Sequence, residues 1–128
     1  MRLLLDTHSF LWFIMGSSNL STNARALIED VNNEKFVSKV SLWEIAIKIS
    51  IGKLTLSGSF DAVIPFQIKN NGFETLEIEL THLSLISSLS LHHRDPFDRL
   101  IITQSILEDM AIIGKDPAFD LYSVKRLW

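Results

Sequence analysis

Three short runs constrain this chain more than any other feature: "RLLLD" ending at Asp6, "KFVSKVS" after Glu34, and "AIIGKD" ending at Asp116. Each is too brief for an ordinary helix and none alternates apolar with polar. A continuous apolar run of about this length is the pattern of a strand covered on both faces, which is how parallel sheets are buried. Between the runs lie longer segments with helical spacing. Strands alternating with helices predict an α/β fold: a central parallel sheet with helices on both faces. Right-handed crossovers then bring every strand's C-terminal end to one edge, where open sheets of this kind bind ligands.

The segments between fit that plan. "SFLWFIM" reads as a helix stopping near Gly16, and "LSTNARALIEDV" as a second with Ser21 as its cap. "SLWEIAIKISIGKL" carries Ser41 with Glu44 three residues later, a capping-box spacing, and stops at Gly52. Its apolar residues point in nearly every direction, so the helix is expected to be buried, with Glu44 on the one stripe that must reach water. "FDAVIPFQIKNNG" is helical with a kink or break expected at Pro65. "FETLEIEL" alternates like a strand, "THLSLISSLSLHH" and "DPFDRLIITQSILEDM" read as helices, and "PAFDLYSVKRLW" as a loop with a final short strand. No repeat and no real linker interrupts the 128 residues, so one domain over 1–128 is expected.

Composition narrows the function less than the pattern does. There are no cysteines, which excludes disulfides and thiolate metal sites. The start "MRLLLDTHSFLWFIMG" imitates a signal peptide, but Asp6 and His8 interrupt it and no small-residue cleavage site follows. No stretch is long enough to span a bilayer. The expectation is a cytoplasmic protein that does not engage a membrane. A net charge of −3 speaks against a general nucleic-acid binder. That objection fails if four of the fifteen acids hold a cation, because eleven acids then face twelve Lys and Arg.

The placement of the acids makes this worth weighing. Asp6 and Asp116 end the first and last apolar runs, while Glu44 and Asp98 lie near the starts of helices that face the same edge. Four converging carboxylates repel one another unless a proton or a cation balances them, and a hard divalent ion such as Mg²⁺ or Mn²⁺ suits oxygen ligands. Each acid also has a local explanation. Glu44 forms an i,i+4 pair with Lys48, Asp95 caps a helix that begins with Pro96, Asp6 caps the next turn, and Asp116 starts a turn before Pro117. Asp98 is the hardest to dismiss, since apolar residues surround it on its helix. His8, His82, His92 and His93 lack metal-ligand spacing and read as structural or surface residues, with His92 and His93 as substrate contacts. Neither a nucleophile-elbow glycine pattern nor a phosphate-binding glycine loop is present.

"LLLDTH", "SLWEIAIKISIGKL", "DPFDRLIITQS" and "GKDPAF", in this order, resemble PIN-domain proteins, and within them the VapC-like toxins of bacterial toxin–antitoxin pairs. The resemblance runs over essentially the whole chain. It implies a three-layer α/β/α PIN-like fold and a metal-dependent endoribonuclease. The family's four acids fall on Asp6, Glu44, Asp98 and Asp116. Three of them, Asp6, Asp98 and Asp116, would hold Mg²⁺ or Mn²⁺, with Glu44 ligating directly or through water. In-line attack on RNA would leave 5′-phosphate and 3′-hydroxyl ends. Arg94, Arg99 and Lys115 flank the acids and are the expected phosphate contacts. The resemblance also implies an antitoxin that blocks the acid cleft, and a homodimer, with "FLWFIMG" and "SLWEIAIK" as candidate contact segments. One departure stands out: family members often carry a hydroxyl residue where this chain has Gly114. That keeps a non-catalytic PIN-like binding module as an alternative. A phosphoacceptor receiver-like domain ranks behind it, because only Asp6 ends the first strand and "FVSKVS" ends without an acid.

Overall fold

The computed structural model describes residues 1–128. Five strands, β1 (Arg2–Leu5), β2 (Glu34–Ser38), β3 (Phe73–Leu76), β4 (Ala111–Ile113) and β5 (Arg126–Leu127), form one sheet in the order β3-β2-β1-β4-β5. Every neighbouring pair is parallel. The chain builds outward from β1 to β3, then returns to the other side of β1 to add β4 and β5. The order therefore reverses between β1 and β4, and the crevice at such a switch point is where a ligand finds room.

Six helices cover the sheet: α1 (Thr7–Ile14), α2 (Thr22–Glu29), α3 (Lys39–Ser50), α4 (Phe60–Asn70), α5 (Leu80–Ile86) and α6 (Pro96–Glu108). The alternation of strand side chains sorts them into two layers. Leu3, Leu5, Val37 and Ile113 pack with Phe10, Ala24, Ile28 and Ile64, so α1, α2 and α4 cover that face. Leu4, Phe36 and Ile112 point the other way and pack with Leu100, Ile101, Ile102 and Phe119, under α6. α3 closes the side of the molecule, giving Ile45 to the first core and Val40 to the second. The three-layer α/β/α architecture expected from the apolar runs is the one observed. No helix is long and apolar enough to cross a membrane.

Several local expectations need correction. α3 begins at Lys39 with Ser38 as its N-cap, so Ser41 is not a cap and makes no capping box with Glu44. The strand takes only "FETL" of "FETLEIEL", and α5 ends at Ile86 rather than running on to the histidines. α4 passes through Pro65 as one helix. Pro65 lies on the exposed side, where water can serve the carbonyl that its missing N–H leaves free. α3 is not buried all round: Trp43 is 60 % exposed, and the stripe carrying Glu44 is the buried one. The polar stripe faces inward because another part of the site lies beneath it.

Candidate active site

Asp6 follows β1 directly and caps α1, its Oδ1 accepting from the Ser9 amide at 2.8 Å. Its own amide donates to the Ile113 carbonyl at 3.0 Å, which fastens it to the end of β4. Burial pushes its carboxyl above the usual range; the Ser9 bonds and His8 pull it back, and Glu44 adds to the rise. Its second oxygen faces Gly114. A Cβ at that glycine would lie 3.0 Å from Asp6 Oδ2 and 3.0 Å from the Phe119 ring. A side chain here would be crowded, needing the Asp6 carboxylate and the Phe119 ring to give by a few tenths of an ångström.

Glu44 reaches the same corner from α3 and is as buried as Asp6. Its Oε1 lies 2.7 Å from Thr7 Oγ1, and its Oε2 lies 3.0 Å from Lys48 Nζ. Thr7 Oγ1 is also 3.0 Å from Ser41 Oγ. Thr7 has one hydroxyl proton and the carboxylate can only accept, so Thr7 donates to Glu44 and accepts from Ser41. Both carboxylate oxygens thus have a fixed partner. The expected Glu44–Lys48 pair is present, and Thr7, which sequence reading passed over, completes it.

Asp98 and Asp116 approach from the other side. Asp95 caps α6 through its Oδ1, which accepts from the Phe97 and Asp98 amides. This leaves Asp98 in the first turn with its side chain free to turn into the cleft. Asp116 caps a 3₁₀ turn, Pro117–Leu121, its Oδ1 accepting from the Ala118 amide at 2.9 Å. The Asp98 carboxyl is pushed up to about 8, by burial first and then by Asp95, Asp6, Glu44 and Asp116. The four carboxylates that the sequence scattered over four segments therefore share one field.

His93 sits between two of them. Its Nε2 is 3.1 Å from Asp98 Oδ2 and 3.3 Å from Asp116 Oδ2. Donor atoms of His93, Asp98 and Asp116 all lie within 4.8 Å of one another. The loop that carries it is held firmly. Tyr122 Oη accepts from the His92 and His93 amides at 2.9 and 2.8 Å and donates to the Ser90 carbonyl. Arg99 donates to the carbonyls of Leu89, Ser90 and His93, so its guanidinium is committed to this loop. Sequence reading gave His93 only as a substrate contact, and nothing in its spacing pointed to the two acids it meets.

The donor set suits a hard divalent cation: several carboxylates, no sulfur, and an acid, Asp98, held well above its usual range by burial and by its acidic neighbours. Lys48, Lys53 and Arg94 line a groove that opens beside Glu44, Asp95 and Phe97. Arg94 and Lys115 are exposed, as groups that meet an incoming polyanion must be.

Ribonuclease VapC16 of Mycobacterium tuberculosis is 33 % identical over 58 residues, covering 45 % of this chain and 41 % of that protein. The match thus spans less than half of the relative's length. Among solved structures, VapBC2 from Rickettsia felis, bound to a DNA fragment from their promoter, gives a TM-score of 0.74 at 15 % identity, over 99 % of this chain and 98 % of that one. VapBC-1 from nontypeable Haemophilus influenzae gives 0.68 at 14 % identity, over 99 % and 97 %. FitAcB from Neisseria gonorrhoeae gives 0.63 at 14 % identity, over 98 % and 96 %. At such identities these structures speak for the fold alone. The family model described as "PIN domain" matches residues 3–125, nearly the full length, and so the chain belongs to the PIN domain family.

Proposed function

We propose that this protein is a Mg²⁺- or Mn²⁺-dependent endoribonuclease and the toxin of a toxin–antitoxin pair. One observation carries the reading: carboxylates from four separate segments share one field at the sheet's switch point, where burial and the neighbouring acids push the Asp98 carboxyl up to about 8. Membership of the PIN family and the partial match to a protein named as a ribonuclease support it.

Asp6, Asp98 and Asp116 would hold the ion, with Glu44 as a direct or water-mediated partner. A bound divalent ion lowers the pKa of a coordinated water and polarises the scissile phosphate. The chain's own residues do the rest. Thr7 and Lys48 keep Glu44 in one orientation. Arg94 and Lys115 offer cationic contacts to RNA phosphates, which a cleft this acidic needs before a polyanion will enter. We assign Arg99 to holding the 89–93 loop rather than to RNA, because its donors are already engaged. An antitoxin protein as partner and a homodimer rest on the resemblance to VapC-like toxins and on the fold shared with VapBC2 and VapBC-1. Met15, Trp43 and Ile51 are exposed apolar groups on or beside the two candidate segments that a partner would cover.

The test is cleavage of a structured RNA by wild type, Asp98→Asn and Glu44→Gln, with Mn²⁺ and with EDTA. The expectation is cleavage by wild type with Mn²⁺ only, giving 5′-phosphate ends, and a loss of about a hundredfold or more in each variant. RNA left intact by wild type at every Mg²⁺ and Mn²⁺ concentration would favour the binding module. Cleavage that survives both substitutions would exclude this site.

A further inference from the structure

We propose that His93 is a positioning residue that sets the separation of Asp98 and Asp116 by donating one N–H between them, without binding the metal itself. The proposal rests on the metal-dependent reading of the acids and adds to it a residue outside the four carboxylates.

The ring's chemistry decides between donor and ligand. His93 Nδ1 lies 3.2 Å from the Asp95 amide, which can only donate. Nδ1 must then be the unprotonated nitrogen, and a neutral ring carries its proton on Nε2. That proton points at Asp98 Oδ2 and Asp116 Oδ2, at 3.1 and 3.3 Å. A metal-bound Nε2 would require the opposite tautomer and set two N–H groups against each other at Nδ1. The same backbone amide therefore fixes the tautomer and rules out ligation.

The ring is also built in rather than merely near. Its face packs against Phe119 with centroids 6.0 Å apart, and Tyr122 and Arg99 clamp the backbone on either side. Asp116 has greater need of such a partner. It hangs from a short 3₁₀ turn, its side chain is 48 % exposed, and its Oδ2 has no other hydrogen bond. Outer-shell donors of this kind typically change metal affinity by about 10- to 100-fold when removed.

The experiment titrates the full-length protein with Mn²⁺ and follows free Mn²⁺ by electron paramagnetic resonance. Wild type is compared with His93→Ala, His93→Gln and His93→Phe. Loss of affinity of about tenfold or more is expected in His93→Ala. His93→Gln, which can place an N–H near the Nε2 position, should recover most of it. His93→Phe keeps the ring against Phe119 and lacks both nitrogens, so it should bind as weakly as His93→Ala and stands in for that variant if it does not fold. Pulsed measurements on the bound Mn²⁺ should show no directly coordinated nitrogen. Wild-type affinity in His93→Ala and His93→Phe, or no recovery in His93→Gln, overturns the proposal. A directly bound nitrogen lost with His93 also overturns it by making His93 a ligand. If wild type itself binds no Mn²⁺, the metal-dependent reading fails first, and that result is distinct from a failure of His93 alone.

Discussion

Asp6 and Glu44 are each 6 % exposed and hang from helices that start where β1 and β2 end, so the sheet itself fixes them. Asp98 hangs from the first turn of α6 and Asp116 from a 3₁₀ turn, one imidazole lies between them, and Asp116 is about half open to solvent. In the first corner Ser9 serves one oxygen of Asp6, and Thr7 and Lys48 serve Glu44, while burial still holds the Asp6 carboxyl above its usual range. In the second, His93 is the only side chain within bonding reach of either acid's Oδ2. A site assembled this way has a rigid, well-buried half and a half more open to solvent, from which cation and substrate can arrive.

The largest effect expected from this contrast is electrostatic. Asp98 has a folded-state pKa of about 8 against an ordinary 3.8, so the folded protein holds its proton more tightly than the unfolded chain does. Without metal, stability should therefore fall as pH rises from about 4 to about 8, because deprotonation costs more in the folded state. Asp98→Asn lacks this dependence. In EDTA, the Tm of Asp98→Asn should exceed that of wild type by a margin that grows across that window and levels off above it. Excess Mn²⁺ should reverse the order at pH 8. A margin that stays constant from pH 4 to 8 would mean that the surroundings of Asp98 do not hold its proton.

The seam between the corners is Gly114, where a Cβ would meet both Asp6 Oδ2 and the Phe119 ring at 3.0 Å. Phe119 in turn packs beside His93. If the missing hydroxyl were the weakness of this site, Gly114→Ser would improve it. The crowding predicts the reverse: a loss of roughly 1–3 kcal/mol in chemical unfolding, with weaker rather than stronger RNA cleavage. Unchanged stability together with faster cleavage would show that the pocket has room and that the rigid corner is looser than described.

Much of this arrangement was legible in the chain. Continuous apolar runs such as "RLLL" and "AII" are hard to satisfy except in a sheet covered on both faces, and Asp6 and Asp116 fell at their ends. Ser21 and Asp95 were readable as caps because their chemistry is local. What was not legible involves contacts between distant segments. Thr7 meets Glu44 across 37 positions and His93 meets Asp116 across 23, and no spacing rule reaches that far. The reading of α3 erred for a related reason. Counting apolar directions on a helix does not say which neighbour it packs against, so Trp43 is exposed while Glu44 is covered. Ser41 looked like a cap because it precedes Glu44 by three, but Ser38 takes that role at the end of β2 and frees Ser41 to serve Thr7.

The smallest effect in the set tests how the rigid corner is held. Thr7→Val keeps the shape of a fully packed residue and removes only the hydroxyl that donates to Glu44 Oε1 at 2.7 Å. Because Lys48 still holds Oε2 at 3.0 Å, Glu44 should remain in the cleft but turn more freely about that single contact. Cleavage should fall by roughly tenfold, the lower end of what an outer-shell partner contributes. Thr7→Ser, which restores the hydroxyl, should recover most of it, while Tm changes by only a few degrees in either variant. The informative ratio is this loss against the one from Lys48→Met. Should Lys48→Met prove harmless and Thr7→Val severe, the hydroxyl alone orients Glu44 and the lysine only balances charge. The reverse would make the first corner resemble the second, dependent on one partner whose side chain is itself partly open to water.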